Sequence, residues 1–576
     1  MKLIFRSYLA SLKEREELDA ILPDLLSELG YVVYSRPQRG TTQAGVDIAA
    51  VGNDEDGERK VFLFSVKQGD LTRTTWNGNS PQALRPSLEE ILDDYIPHRI
   101  PKRYQGLKVV ICLVFGGDMQ EQVRNAVSGY MDQHTTDRIS FDEWNGDKLA
   151  GLLLKGVLRE EIMPKELRSH FQKAISLADQ PDIAYQHFGS MVYELGKRVA
   201  TDKERIRTAR QLYIALWVFF VWARDVDNVE APYRSSELVL LGLWNLLRGY
   251  IGKPRNAVNK AISTVINHAV QLHLSIAQDY LFRKVLPHVE ARYGLSMAVQ
   301  SRTWVDVNLK LFEILGRLSL TGLWIVWLSE RMPTSERGDL DAKLRELSKM
   351  GFQLINSNPT LFLPLKDDQS IEVSLFLMLV SATGGNMLDA ETWIEEMAKR
   401  YVLTLRGHGR YPCVFQDYRD LIAHPREQTE EYRREATSGS TLLPLIAACL
   451  ARFGQFAGLQ VLVDLKSHQL EHCTLQLWMP DETSEVAFHD GSHDHGIAVT
   501  GLPLTADGIE LLEVIDAACE RSKDFDELSM VKTGNWPLLL MACRHHRFPV
   551  PPQFWRHLLR PLPSVEVAEN SVSAGT

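Results

Sequence analysis

The chain has no Cys-x-x-Cys pair. Its six cysteines, Cys112, Cys413, Cys449, Cys473, Cys519 and Cys543, are scattered, which speaks against a disulfide framework or a thiolate zinc site and fits a reducing cytoplasm. Long apolar runs are also scarce. The longest, Leu212 to Ala223, stops at Arg224 and Asp225, roughly a dozen residues where a membrane span needs about 20, so a buried helix and no membrane are expected. The opening Met1-Lys2-Leu3-Ile4-Phe5-Arg6 lacks the sustained apolar core and small-residue cleavage site of a secretory signal. An excess of positive charge is missing too. Lys and Arg number 64 against 74 Asp and Glu, a net charge of −10, which excludes a surface coated in positive potential and leaves room only for a local basic groove. No kinase, serine-nucleophile or P-loop ending appears. The Gly-rich Arg406-Gly407-His408-Gly409-Arg410 has no Gly-Lys-Ser/Thr, so any ATP-driven step belongs to a separate partner.

What is present is a soluble, globular composition of 576 residues, 45% hydrophobic and 24% charged, long enough for two to four domains. Leu12, Leu18, Ile21, Leu22, Leu25, Leu26 and Leu29 recur at helical spacing before Gly30, with Pro23 predicting a kink or break. Strands are predicted over Tyr31–Tyr34, Val46–Val51 and Lys60–Val66, the last two separated by the turn Gly52-Asn53-Asp54-Glu55-Asp56-Gly57. A helix over Gln82–Tyr95, a buried strand over Lys108–Phe115, a helix over Met119–Tyr130, a short strand at Ile139–Phe141 and a helix over Asp147–Leu154 complete a compact α/β domain. Long helical patterns without a fixed repeat follow, among them Ile206–Trp222, Ser235–Gly249 and Trp304–Leu328. From about Gln455 the pattern is mixed. Leu459–Val463 and Thr474–Trp478 read as strands, Gly508–Glu520 and Trp536–Cys543 as helices, and 564–576 as a disordered tail. The predicted division is 1–158, 159–454, 455–563 and 564–576.

Chemistry concentrates in the first of these. Gly45-Val46-Asp47-Ile48 opens one strand, and Phe64-Ser65-Val66-Lys67-Gln68 closes the next. Phosphodiester hydrolysis needs a positioned, metal-bound water and carboxylates to hold the ion. Asp47 is the leading metal ligand; Lys67 is placed to orient or help deprotonate the water and to stabilise charge on the phosphate, with Gln68 assisting. Arg99, Lys102 and Arg103, near Tyr104, form a local basic cluster that reads equally well as a solvated loop.

These residues resemble the PD-(D/E)xK nuclease superfamily, and within it restriction endonucleases of the Mrr type, over roughly Leu12 to Lys155. Leu18-Asp19 and Leu25-Leu26-Ser27-Glu28-Leu29-Gly30-Tyr31 resemble the family's opening helix. Gly45-Val46-Asp47-Ile48 resembles its Gly-Ile-Asp strand, and Phe64-Ser65-Val66-Lys67 stands where the family has Glu-x-Lys or Gln-x-Lys. Val109–Phe115 and Phe141-Asp142-Glu143-Trp144-Asn145-Gly146-Asp147-Lys148-Leu149 resemble the end of the same domain. The resemblance implies a restriction-endonuclease-like α/β domain, followed here by a large, mainly α-helical region and a smaller mixed α/β segment. It also implies Mg2+ or Mn2+ as cofactor, double-stranded DNA as substrate class, and a helix acid beside Asp47, which falls on Asp19 with Glu16 and Glu17 as fallbacks. A protein partner or homo-oligomer through the helical region is the further expectation. Ser65 departs from the pattern, because a hydroxyl is a weaker ligand than a carboxylate for a hard divalent ion. An inactivated nuclease fold that binds nucleic acid or assembles a complex is therefore the alternative.

His489-Asp490-Gly491-Ser492-His493-Asp494-His495 gathers three imidazoles and two carboxylates. It is a transition-metal candidate or simply a polar hairpin loop between Val486–Phe488 and Ile497–Val499. The tryptophans Trp217, Trp222, Trp244, Trp304, Trp324 and Trp327 fall on apolar helical faces and read as core.

Overall fold

The computed structural model describes residues 6, 9–10, 18–36, 44–54, 56–78, 83–156, 165–197, 199–251, 257–299, 301, 303–384, 387–407 and 409–556. The chain is mostly helical, with a five-stranded mixed sheet near its N-terminus. It divides into two compact units, Met1–Ile276 and Ala277–Thr576.

In the first unit helix α1 (Asp19–Glu28) leads into β1 (Val32–Ser35), β2 (Ile48–Asn53) and β3 (Arg59–Lys67). These three pair antiparallel. The β2–β3 turn is closed by Asp54, whose carboxylate accepts the backbone N–H of Asp56 at 3.0 Å and of Glu58 at 2.8 Å; such side-chain capture is why aspartate suits tight turns. Helices α2 (Arg73–Asn77) and α3 (Leu84–Glu90) then cross to β4 (Val109–Phe115), and α4 (Glu121–His134) crosses to β5 (Ile139–Trp144), which α5 (Gly146–Gly156) follows. Strands β3, β4 and β5 are parallel, and the spatial order is β1-β2-β3-β4-β5. Parallel neighbours need a crossover, and the helices supply it.

Every residue of β4 is buried, as its unbroken apolar run predicts for a central strand. Alternation sorts the two faces. Ala49, Val51, Val61, Leu63, Ile111, Leu113 and Phe115 share one apolar cluster with Trp76, Leu84, Leu88, Tyr95, Val123 and Val127 from the crossover helices. Phe62 and Phe64 alternate to the other face, where they meet Tyr31 and Trp144 edge-on at 5.0 and 5.1 Å.

Three local expectations change. Helix α1 runs through Pro23 without a break. The helix expected over Gln82–Tyr95 continues as a π-helix, Ile91–Arg99, containing Pro97. Proline lacks the N–H for an i→i−4 bond and crowds the preceding turn, and a wider turn accommodates it. The strand expected at Leu459–Val463 lies instead within a helix, Phe456–His468. Its buried residues Leu459, Leu462 and Leu465 are spaced by three, so packing at helical period overrides the β-preference of its valines.

The rest of the first unit is α6 (Lys165–Ser176), α7 (Pro181–Lys197), α8 (Asp202–Asp225), α9 (Glu230–Arg248) and α10, which starts at Ala257. The apolar run Leu212 to Ala223 lies in α8, and all but Trp222 of it is buried. In the second unit, one 27-residue helix, Trp304–Glu330, is long and apolar enough to cross a membrane by length and composition, with 78% of its apolar window buried inside the protein. Its interior face carries Asn308, Arg317, Ser319 and Thr321, a pattern of core packing. The C-terminal part of this unit contains helices with the short strands β6 (Gly439–Ser440), β7 (Thr474–Leu475), β8 (Leu477–Met479) and β9 (Ile497–Val499).

Candidate active site

Asp47 sits one residue before β2, and the chain reaches it through two left-handed residues, Ala44 and Gly45. Glycine is required at 45 twice over. Its φ is +75°, and a Cβ there would lie 2.0 Å from the carbonyl oxygen of Ser87 in α3. The close approach brings α3 against the start of β2. Asp47 then docks on β3: its N–H donates to the Phe64 carbonyl at 2.9 Å, and its Oδ2 accepts the Val66 N–H at 2.7 Å.

Strand alternation puts Asp47 on the face of Ala49 and Val51, and Ser65 and Lys67 on the face of Val61 and Leu63. That is one and the same face. Strand β3 extends along β4 as far as Lys67, which pairs with Phe115. The carboxylate, hydroxyl and ammonium are therefore gathered where β2 begins and β3 ends. Ser65 is fully buried and its Oγ has no hydrogen-bond partner among the described residues. Lys67 is 7% exposed; an ammonium this buried is held by negative charge and hydrogen bonds, since isolated it would cost several kcal/mol.

The other predicted site residues fall as follows. Gln68 lies beyond the last residue of β3 and is exposed, beside the site rather than in it. Glu16 and Glu17 lie outside the described residues. Asp19 opens α1, and its side chain is likewise outside them. Arg99 is paired with Asp94 at 2.7 Å, and the Arg103 guanidinium sits over the Tyr104 ring at 4.7 Å, so only part of that basic cluster faces solvent unpaired.

Sequence reasoning missed Asp70. Its Oδ1 accepts the Asp118 N–H at 2.9 Å, and the Gly117 N–H donates to the Gly69 carbonyl at 2.9 Å. A Cβ on Gly117 would fall 2.1 Å from Asp70 Oδ1. The loops after β3 and β4 are thus clamped beside Lys67, at the carboxyl ends of parallel strands, where open sheets place their ligands. The signal was there, in Gly69-Asp70 and Gly116-Gly117-Asp118, but the two halves are far apart in sequence.

Magnesium takes six oxygens, keeps several waters and uses one or two protein carboxylates. Asp47 supplies one carboxylate, and the partnerless Ser65 hydroxyl offers a further oxygen on the same face. This donor set fits an ion that completes its shell with water and phosphate oxygens, and it does not fit a dehydrated one. Among the described residues no three His, Cys, Asp or Glu side chains converge as a metal cage.

The histidine cluster forms no such cage either. Val486–Phe488 is not a strand but part of a helix, Ser484–Asp490, so no hairpin joins it to β9. His495 Nδ1 lies 2.9 Å from Ser484 Oγ, and burial lowers its pKa. His493 and His495 stand edge-on to Phe548 at 5.2 and 4.5 Å. Two of the three imidazoles are packing around one ring. Comparison of the chain with protein-family models, curated proteins and solved structures returns no match.

Proposed function

We propose that this protein is a metal-dependent endonuclease that cleaves DNA phosphodiester bonds, with a restriction-endonuclease-like domain of the PD-(D/E)xK type as its catalytic part. The observation that carries the reading is the placement of Asp47, Ser65 and Lys67 on one face at the meeting point of β2 and β3. The order of α1, three antiparallel strands, crossover helices and a parallel strand supports it, being the order that the sequence resemblance implies.

In this reading Asp47 and the Ser65 hydroxyl hold Mg2+ or Mn2+, with Asp19, Glu16 or Glu17 as the second carboxylate. The ion, when bound, supplies an activated water and neutralises phosphate charge. Lys67 orients that water and stabilises negative charge on the scissile phosphate, an interaction strengthened by the low-dielectric surroundings of a buried ammonium. The Val66 N–H fixes one oxygen of Asp47, so the carboxylate is oriented before substrate arrives. Gln68, exposed at the rim, contacts the phosphate backbone. The substrate class is double-stranded DNA, the compartment the cytoplasm, and the role bacterial defence against phage or foreign DNA; the helical region senses, docks or restrains.

The test is cleavage of plasmid and linear DNA with magnesium or manganese, comparing the wild type with Asp47→Ala and Lys67→Ala. Cleavage by the wild type that both variants lose is the expected result; cleavage that survives in both overturns the assignment. Ser65 in place of a carboxylate supports a second reading, an inactive nuclease fold that binds nucleic acid or assembles a complex. Metal-independent DNA binding without cleavage under any divalent ion selects it.

A further inference from the structure

In the helical part of the first unit, the last turns of α7 and α9 meet the start of α8 around a cavity of ≈ 400 Å³. Two guanidiniums line it, Arg205 and Arg248, together with the Asn245 carboxamide, the Tyr250 ring and the apolar side chains of Val199 and Leu246. Among the described residues no carboxylate lines it. Sequence reading gave no hint of it, because Arg205 and Arg248 sit on different helices.

The donors there are underused. Arg205 gives one N–H to the Leu246 carbonyl at 3.2 Å, a cap on the last turn of α9, bonds the Tyr250 side chain, and lies over the Tyr250 ring at 5.3 Å. Its Nε is buried with no hydrogen-bond partner among the described residues. Arg248 makes one side-chain hydrogen bond there, from Nε to Asn245 Oδ1 at 2.7 Å, which orients the guanidinium and leaves its two terminal nitrogens to other acceptors. The acids nearby are engaged. Glu204 accepts the N–H groups of Thr201 at 2.9 Å and Ala200 at 3.1 Å in the capping box of α8, and Asp202 accepts the Tyr250 hydroxyl. With the N-terminal end of α8 capped by its own residues, the terminal nitrogens of Arg248, beside those of Arg205, are the cationic donors among the described lining residues.

We infer that this cavity binds a small phosphate ester of about mononucleotide size, its phosphate held by Arg205 and Arg248 and its body lying against Tyr250, Val199 and Leu246. Two planar guanidiniums on one cavity wall present terminal N–H groups whose fork geometry matches a phosphate. The volume lies in the range of small-molecule sites, about 300–1,000 Å³, so it exceeds what a bare phosphate fills. The partly apolar wall suits a flat or apolar body attached to the anion. The inference goes beyond the nuclease reading and does not depend on it.

The experiment is thermal-shift and calorimetric titration of the full chain with AMP, inorganic phosphate and adenosine, in the wild type and in Arg248→Gln. Arg248 is chosen because its one side-chain bond there is local, whereas removing Arg205 also uncaps α9. The expected result is stabilisation by AMP, weaker stabilisation by phosphate, little by adenosine, and an affinity for AMP about tenfold lower in Arg248→Gln at an unchanged melting temperature without ligand. Phosphate binding as tightly as AMP would leave an anion site only and overturn the ester. Absence of any effect of AMP and phosphate at millimolar concentration, or equal AMP affinity in wild type and variant, would overturn the site. DNA cleavage is not the readout, so failure of the nuclease reading and failure of this one are separate results.

Discussion

Two partly buried charged clusters in this molecule differ in how their polar groups are bonded. In the second unit, Arg547 donates to Asp368 Oδ1 at 2.8 Å, to the Asp368 carbonyl at 3.0 Å and to both oxygens of Glu372, while Lys366 pairs with Asp368 at 2.9 Å. Asp367 accepts the Thr441 N–H at 2.7 Å and the Ser440 hydroxyl, tying its segment to the start of a helix, Leu442–Phe453. In the sheet of the first unit, Asp47 accepts the Val66 N–H at 2.7 Å, and the Ser65 hydroxyl on the same face has no hydrogen-bond partner among the described residues. A network with its acceptors filled fixes a packing arrangement; the Ser65 hydroxyl, like several other buried polar atoms of this chain, adds no such bond among the described residues.

The largest effect in breaking that comparison is expected in the satisfied cluster. Arg547→Met leaves Glu372 buried without the guanidinium that meets both its oxygens, and Asp368 with Lys366 alone, which costs about 3–5 kcal/mol. Denaturant unfolding should show this loss in the second unit while the sheet of the first keeps its own transition. A change below about 1 kcal/mol would mean the cluster is solvated, as surface pairs are. Next comes Lys67→Met, which keeps the stem and removes the charge. If Lys67 stabilises charge on the phosphate, cleavage should fall by about 10²–10³-fold, the size expected for losing one preorganised donor. The melting temperature should change far less than for Arg547→Met; equal damage to both would reduce Lys67 to a structural residue.

The two clusters also differ in how far they could be read in the sequence. Asp47 and Lys67 stand out because one opens an apolar strand and the other closes the next, and alternation over β2 and β3 places them on one face. The order of strands and helices in the sheet was legible for the same reason: runs such as Val109–Phe115 are long, apolar and bounded by turn residues. Arg547 gave no signal, since it reaches Asp368 and Glu372 across roughly 175 residues, a separation no local period spans. Asp70, held to the loop after β4, was missed likewise. Local propensity failed where packing chose the other period, at Leu459–Val463, and where a proline was absorbed into a helix, at Pro23 and Pro97.

A smaller effect is the pH dependence of the second unit. His424, in the second unit, is buried and uses both ring nitrogens, Nδ1 with the Tyr432 hydroxyl and Nε2 with the Tyr411 carbonyl, each at 2.9 Å. Burial lowers its pKa. A histidine depressed in the folded state contributes stability that is complete above its unfolded value, about 6.5, and is lost as pH falls through the folded one. The melting temperature of the second unit should therefore decline on acidification below that value, and His424→Gln should flatten the decline. Asp368 follows only in strong acid: burial alone would raise its carboxyl, but Arg547 and Lys366 hold it at about 2. A decline of the same size in His424→Gln would assign it to other groups.

The smallest expected change in stability is the sharpest probe of what the open hydroxyl does. Ser65→Ala removes a buried group that makes no hydrogen bond among the described residues, so it should leave stability unchanged or raise it by up to about 1 kcal/mol. A hydroxyl kept only for packing predicts nothing more. If Ser65 helps to hold the ion, the same variant should need more magnesium for half-maximal cleavage while its melting temperature stays level or rises. Stability and metal requirement would then move in opposite senses at one atom, a signature that neither a structural serine nor an inactive fold produces.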